Sequence, residues 1–201
     1  MAKKVITFLA EGFEEVEAVT PIDYLRRAGV EVTVAAVGVK KGGSLAVKGS
    51  HGIPVVADVS LEDLVKGKKL VPAEWDAVVT PGGSPGSDNL AASKEVGAFI
   101  KAMAGEGKWV CAICAAPARV LAPQGILAGK KFTCFPGEEE KVLAAGSASA
   151  GAKWKKDRVV ADGNIITSRG AGTAGDFACA IIAKLVSDAE AKKLAERVLL
   201  K

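Results

Sequence analysis

The chain has 201 residues, nearly half of them apolar and a quarter charged, a balance that supports one well-filled domain and excludes a disordered chain. Its net charge of +4 is thinly spread, with the densest basic clusters at Lys66, Lys68 and Lys69 and around Trp154, which argues against nucleic-acid binding as a primary role. No apolar run reaches membrane-spanning length, the Val5–Ala10 run is too brief for a secretory leader, and four cysteines in a chain this large make no disulfide framework, so a reducing, cytoplasmic setting is expected.

Short β-branched runs alternate with segments of helical period. Lys4–Leu9 reads as a first strand, apolar almost throughout, as a strand covered on both faces should be. Gly12 turns the chain into a helix over Glu14–Arg27, closed by Gly29 and carrying Pro21, which predicts a kink or a shift in course. Val30–Val37 is a second strand, and the turn residues and short β-prone pieces of Gly42–Val56 read as a hairpin excursion. Ser60, followed by Glu62 and Asp63, has the chemistry of a helix start. Ala77–Thr80 is a strand running into Pro81-Gly82-Gly83, a helix covers Lys94–Ala104, and Trp109–Ile113 is a strand that ends at Cys114. Ala115–Ala122 reads as a helix with Pro117 in its first turn. Lys131–Phe135, Arg158–Ala161 and Asn164–Ser168 are further strands, the last two joined by the hairpin turn Asp162-Gly163. Helices over Asp176–Val186 and Ala189–Leu199 close the chain. The alternation predicts one doubly wound α/β domain over 1–201, a mostly parallel sheet with helices on both faces.

In such sheets ligands bind beyond the carboxyl ends of the strands, near the point where strand order reverses. Three segments end strands there in unusual ways. In Ala112-Ile113-Cys114-Ala115-Ala116 a side chain on a sharp strand-to-helix turn has alanines two residues away, the small neighbours such a turn demands. The Cys114 sulfur would lie at the first turn of a helix, where free N–H groups favour thiolate. The competing reading is a small buried hydrophobe, as most free cysteines are. The glycines of Pro81-Gly82-Gly83 either turn backbone N–H groups toward a ligand, as an oxyanion hole requires, or form a plain turn. Glu14, Glu15 and Glu17 suit the positive end of the first helix, yet they repel one another, and whichever turns inward acquires a raised pKa fit for acid–base work. The pattern alone does not choose among them. Cys111 and Cys114 have dithiol spacing, but Cys111 falls inside a strand pattern, where such motifs occupy a loop and a helix start. With one histidine and no second cysteine pair, no metal site is expected.

These residues resemble the DJ-1/ThiJ/PfpI superfamily, in particular its small DJ-1 branch. The likeness runs almost end to end, through Gly12-Phe13-Glu14-Glu15-Val16-Glu17, Arg26-Arg27-Ala28-Gly29, Ser60-Leu61-Glu62-Asp63, Pro81-Gly82-Gly83, Ala112-Ile113-Cys114-Ala115 and Thr167-Ser168-Arg169-Gly170. The resemblance implies a flavodoxin-like domain of the class I glutamine amidotransferase type, usually a homodimer and without a cofactor. It implies an easily oxidised nucleophilic cysteine at Cys114, a hydrogen-bonded glutamate at Glu17, and backbone amides of Gly83 and Ala115 around the sulfur. The implied activity is glutathione-independent conversion of glyoxal and methylglyoxal to hydroxy acids, with repair of early glycation adducts. The alternative is an oxidative-stress sensor or chaperone whose cysteine stops at sulfinate without turnover.

Two departures bear on the chemistry. Phe135 stands where relatives often carry a histidine before Pro136, and Ala115 stands where the protease-like branch has a histidine after the cysteine, which disfavours proteolysis. His51, the only histidine, falls where relatives often carry an arginine near the dimer contact. It is either a surface histidine or a contributor to the partner subunit's pocket. Glu17 is then left to carry every proton.

Overall fold

The computed structural model describes residues 2–39 and 42–200. The chain winds in two directions from its first strand. β1 (Lys4–Leu9) leads through α1 (Glu15–Arg27) to β2 (Glu31–Ala36), then through a small hairpin, β3 (Ala46–Lys48) and β4 (Pro54–Val56), to β5 (Val59–Ser60). After α2 (Leu61–Lys66) it returns on the other side of β1 with β6 (Ala77–Thr80), passes α3 (Ser84–Ala92) and α4 (Lys94–Gly105), and adds β7 (Trp109–Ile113). A minor parallel pair, β8 (Lys131–Phe132) and β9 (Lys153–Trp154), flanks α5 (Glu139–Ala144). β10 (Val159–Asp162), β11 (Ile165–Ser168), α6 (Ala174–Leu185) and α7 (Asp188–Arg197) complete the fold. The sheet order is β10-β11-β7-β6-β1-β2-β5, parallel except for the β10–β11 edge hairpin. Strand order reverses between β1 and β6, so the carboxyl ends of β1, β6, β7 and β11 share one rim.

Alternation along the strands sorts the core into two layers. Ile6, Phe8, Val78, Val110 and Ala112 belong to the layer of α2, α3 and α4, with Leu64, Leu90, Val96, Phe99, Ile100 and Met103. Phe8 and Phe99 meet edge to face there, centroids 5.8 Å apart. Val5, Leu9, Val79, Cys111, Ile113 and Ile166 belong to the opposite layer, with Ala18, Ile22 and Leu25 of α1 and Phe177, Ile181 and Ile182 of α6. Side-chain caps start α1 and α2: Glu14 accepts the Glu17 N–H at 2.7 Å, and Ser60 Oγ accepts the Asp63 N–H at 3.1 Å. α1 runs through Pro21 without a break.

One helix was not anticipated, and two local expectations need correction. Ser84–Ala92, rich in residues that disfavour helix, is nonetheless α3; Pro85 occupies its first turn, where a missing N–H is tolerated, and Gly86 and Leu90 are buried. Lys131–Phe135 is a strand only over its first two residues and lies outside the main sheet. Beyond it, the Thr133 N–H donates to the Thr167 hydroxyl at 2.9 Å instead of to a ladder carbonyl. Ala115–Ala122 is not a regular α-helix. Pro117–Leu121 winds as a π-helix, with the Ala122 N–H reaching back to the Pro117 carbonyl, a widening found frequently at functional sites.

Candidate active site

Each strand end on the reversal rim delivers one part of a single constellation. At the end of β7, Cys114 has φ +64°, a left-handed conformation that costs a non-glycine residue about 1–3 kcal/mol and persists only where the surroundings hold it. Its N–H donates to the Ser168 carbonyl at 2.9 Å, and its own carbonyl accepts from the Phe135 N–H at 2.9 Å. With both backbone groups held by other segments, the side chain is left half-buried at the rim.

Beyond β6, the chain passes against the sulfur. A Cβ on Gly82 would overlap Glu17 Oε2 and lie 2.5 Å from Cys114 Cβ and 3.0 Å from Sγ, so only glycine lets acid, loop and sulfur close on one another. Gly83 follows at φ +87° and caps α3. The N–H groups of Gly83 and Ala115 both donate to the Cys114 sulfur.

The three glutamates of α1 divide their work. Glu14 caps the helix. Glu15 anchors the β3–β4 hairpin: its carboxylate accepts the His51 N–H at 2.7 Å, His51 Nδ1 lies 2.9 Å away, and the Ile53 N–H and Ser50 hydroxyl donate at 3.3 Å each. Burial alone would raise its pKa, but the bonds from the His51 ring and from backbone N–H groups hold it down at about 2. Glu17, only 1% exposed, faces the cysteine. Its Oε2 accepts the Gly82 N–H at 3.0 Å, and the carboxyl group also bonds the Ala171 N–H and the Cys114 thiol. Burial pushes Glu17 up to about 7, with repulsion from Glu14 adding to the rise and the three bonds opposing it.

The thiolate expected from the sequence is not the resting form of this pair. Burial pushes the Cys114 thiol up to about 12, the charge and hydrogen bond of Glu17 act in the same direction, and the N–H groups of Gly83 and Ala115 only partly offset them. A turn and a π-helix, not an α-helix, follow Cys114. Glu17 and Cys114 titrate as a coupled pair that passes from uncharged to singly negative through the neutral range. A thiol beside a carboxyl group near half-ionisation at pH 7 is a nucleophile with its base in contact.

Sequence reasoning passed over Arg119 and read Gly82 only as part of the Pro81-Gly82-Gly83 turn. The Arg119 guanidinium pairs bidentately with Glu138 at 2.9 and 3.1 Å, reaches Asp88 at 2.8 Å and donates to the Ser84 carbonyl at 3.3 Å. It thereby ties the π-helix after Cys114 to α3 and to the segment after Phe135. An arginine within the apolar run Ala115–Ala122 was the available signal.

His51 is engaged with Glu15 and Ser50, its ring 69% exposed on the flank of α1, and Glu15 raises its pKa. Glu14, Glu15 and His51 place three potential ligand atoms within 4.8 Å of one another, but the Glu15–His51 hydrogen bond occupies two of them. Cys111 is fully buried inside β7, with a thiol raised by burial, and Cys134 is buried and pushed up to about 12; neither presents a resolving thiol. Among the described residues no helix is long and apolar enough to cross a membrane. A cleft of about 430 Å³ beyond the ends of β1 and β2, lined by Glu11, Val39, Lys48 and Asn89 among others, contains no cysteine among the described residues.

The profile of the DJ-1/PfpI family matches residues 3–184. The chain is 37% identical over 199 residues to the Parkinson disease protein 7 homolog of Danio rerio, covering 99% of this chain and 98% of that protein. It is 32% identical over 166 residues to a Pyrococcus horikoshii protein named a deglycase, covering 83% and 89%. With DJ-1 homolog B of Arabidopsis thaliana it is 38% identical over 189 residues, 94% of this chain but only 40% of that longer protein. Among solved structures, oxidized Toxoplasma gondii DJ-1 superposes with a TM-score of 0.86 at 35% identity, over 98% of each chain.

Proposed function

The chain belongs to the DJ-1/PfpI family, with its flavodoxin-like, class I glutamine amidotransferase-like fold, and from that premise we propose a cofactor-independent cysteine enzyme acting on glyoxal and methylglyoxal. Deglycation of early adducts on proteins extends the same chemistry, and a relative named a deglycase supports it. The observation that carries the reading is the buried Glu17 carboxyl group, raised to about 7 and hydrogen-bonded to Cys114.

The steps follow from the contacts. The Cys114 sulfur bonds to the aldehyde carbon while its proton passes to Glu17, and the aldehyde oxygen, facing the N–H groups of Gly83 and Ala115, takes up that proton to give a hemithioacetal. Glu17, again a carboxylate, removes the hydrogen from the former aldehyde carbon as a proton; the electron pair moves between the two carbons to give an enediolate, and the proton of the first carbon's hydroxyl passes to the neighbouring oxygen. Glu17 returns its proton to the second carbon, and the first becomes the carbonyl of a thioester. Water adds there, the carbon–sulfur bond breaks, and the sulfur regains its proton as the 2-hydroxy acid leaves. The aldehyde is oxidised and the ketone reduced within one molecule, so no external oxidant is needed. Cys114→Ser and Glu17→Gln should each abolish lactate formation from methylglyoxal, and full activity in either variant would remove the mechanism.

A second reading, an oxidative-stress sensor or chaperone, is favoured by the same donors. The N–H groups of Gly83 and Ala115, with a protonated Glu17, are suited to hold a sulfinate. Mass spectrometry of peroxide-treated protein separates the two: selective oxidation of Cys114 in a protein that turns over no dicarbonyl supports the sensor. A homodimer and a cytoplasmic setting are part of the proposal. Val16 and Val19 of α1 and Ile53 and Val56 of the hairpin, which also carries His51, are exposed apolar side chains of the kind a second copy would cover. The dispersed basic residues offer nucleic acid no footprint.

A further inference from the structure

Phe135 is half-exposed, whereas every other phenylalanine in the chain is buried. Its backbone is fixed from both sides, since its N–H donates to the Cys114 carbonyl at 2.9 Å and its carbonyl accepts from the Glu138 N–H at 3.0 Å. The ring is therefore carried by the same hydrogen bond that holds the cysteine backbone. The spot a Cβ on Gly170 would occupy lies 3.5 Å from Phe135 Cδ2 and 3.6 Å from Glu17 Oε1. Ring and carboxylate thus border one gap, and glycine leaves it open. An acceptor carbon bonded to Cys114 and served by Glu17 has its substituent beside an apolar aromatic ring.

Resting on the dicarbonyl reading above, we propose that Phe135 makes the site selective for α-oxoaldehydes bearing an aryl group, with phenylglyoxal as the test compound, over small aliphatic dicarbonyls. A phenyl substituent gains an offset or edge-to-face contact with the ring and covers its exposed face, whereas the methyl of methylglyoxal covers little of it and the hydrogen of glyoxal almost none. The ring contact supplies about two- to tenfold, and burial of apolar surface adds to it, so the preference should exceed about tenfold in kcat/KM. The chemistry is unchanged. Phenylglyoxal and water give mandelate, with the aldehyde hydrogen leaving as a proton to Glu17 and a proton returning to the neighbouring carbon, and no oxidant is consumed.

The experiment measures kcat/KM for phenylglyoxal and for methylglyoxal on the wild type, Phe135→Ala, Phe135→Tyr and Gly170→Val. Gly170 has an extended backbone with φ 163°, which valine also adopts, so that variant fills the gap without backbone strain. The expected result is a wild-type ratio above about ten that falls toward one in Phe135→Ala and Gly170→Val and survives in Phe135→Tyr, which keeps the ring. A wild-type ratio near one, or a high ratio that Phe135→Ala leaves intact, overturns the selectivity while leaving the dicarbonyl reading standing. Absence of turnover with both compounds overturns both.

Discussion

Glu17 and Cys114, drawn from opposite sides of the strand-order reversal, share one hydrogen bond with the Gly82 backbone pressed between them. Acid, sulfur and loop are each positioned by the others, and the properties of the site follow from that three-way contact.

The contact makes stability depend on pH. Glu17 titrates at about 7 when folded, against an ordinary 4.5. A raised carboxyl pKa gives stability that is fully present below 4.5 and is lost as the pH rises through about 7, because the folded protein then holds a buried anion that the unfolded chain solvates. Glu17→Gln, which can still accept from the Gly82 N–H, should therefore stabilise the protein at pH 8 by about 2 kcal/mol and have little effect at pH 4. Urea denaturation at the two pH values reads the difference; equal effects would contradict the buried-anion account.

Gly82→Ala tests the closeness of the packing. The new Cβ must displace Glu17 or Cys114, so the variant should lose about 1–3 kcal/mol of stability. It should also alter the pH dependence of Cys114 alkylation by iodoacetamide, since the acid and the sulfur part. Wild-type stability and alkylation would show that the loop has room to spare.

Glu15 behaves in the opposite sense to Glu17. Its pKa is held at about 2, below the ordinary 4.5, so its contribution is present above 4.5 and lost as the pH falls through about 2. Because one side of the cluster meets solvent, Glu15→Gln should cost only about 1 kcal/mol at pH 7. The hairpin amides of His51 and Ile53 should exchange faster with deuterium in that variant, and unchanged exchange would mean that the hairpin is held by other contacts.

Val19→Asp combined with Ile53→Asp places charge on the apolar face of α1 and the hairpin. Sedimentation velocity should show the wild type at twice the 20.5 kDa chain mass and the variant at that mass. A wild-type monomer would remove the dimer proposal.

Much of this was legible in the sequence, and what was not has physical reasons. The parallel strands announced themselves because burial on both faces leaves continuous apolar runs, as in Lys4–Leu9 and Ala77–Thr80. α3 was not legible, because Ser84–Ala92 has poor intrinsic helix propensity and forms under tertiary packing, with Gly86 held against the Phe13 backbone. The short β8 was overextended because the tail of Lys131–Phe135 looks like strand, while its N–H groups at Thr133 and Phe135 are claimed by Thr167 and Cys114. Spacing marked Cys114 and the glutamate cluster, but the separate tasks of Glu14, Glu15 and Glu17 depend on what each meets in three dimensions. The thiol's high pKa was beyond reach for the same reason, since it follows from burial and from an acid distant in the chain.

The central claim is that Glu17, as a carboxylate, takes the Cys114 proton during attack on an α-oxoaldehyde. The most direct measurement is kcat/KM for methylglyoxal, with lactate detected, from pH 5 to pH 9. A general base titrating at about 7 predicts a rate that climbs through that value and levels above it in the wild type, with no measurable rate in Glu17→Gln. A flat profile, or the absence of lactate at every pH, would contradict the account.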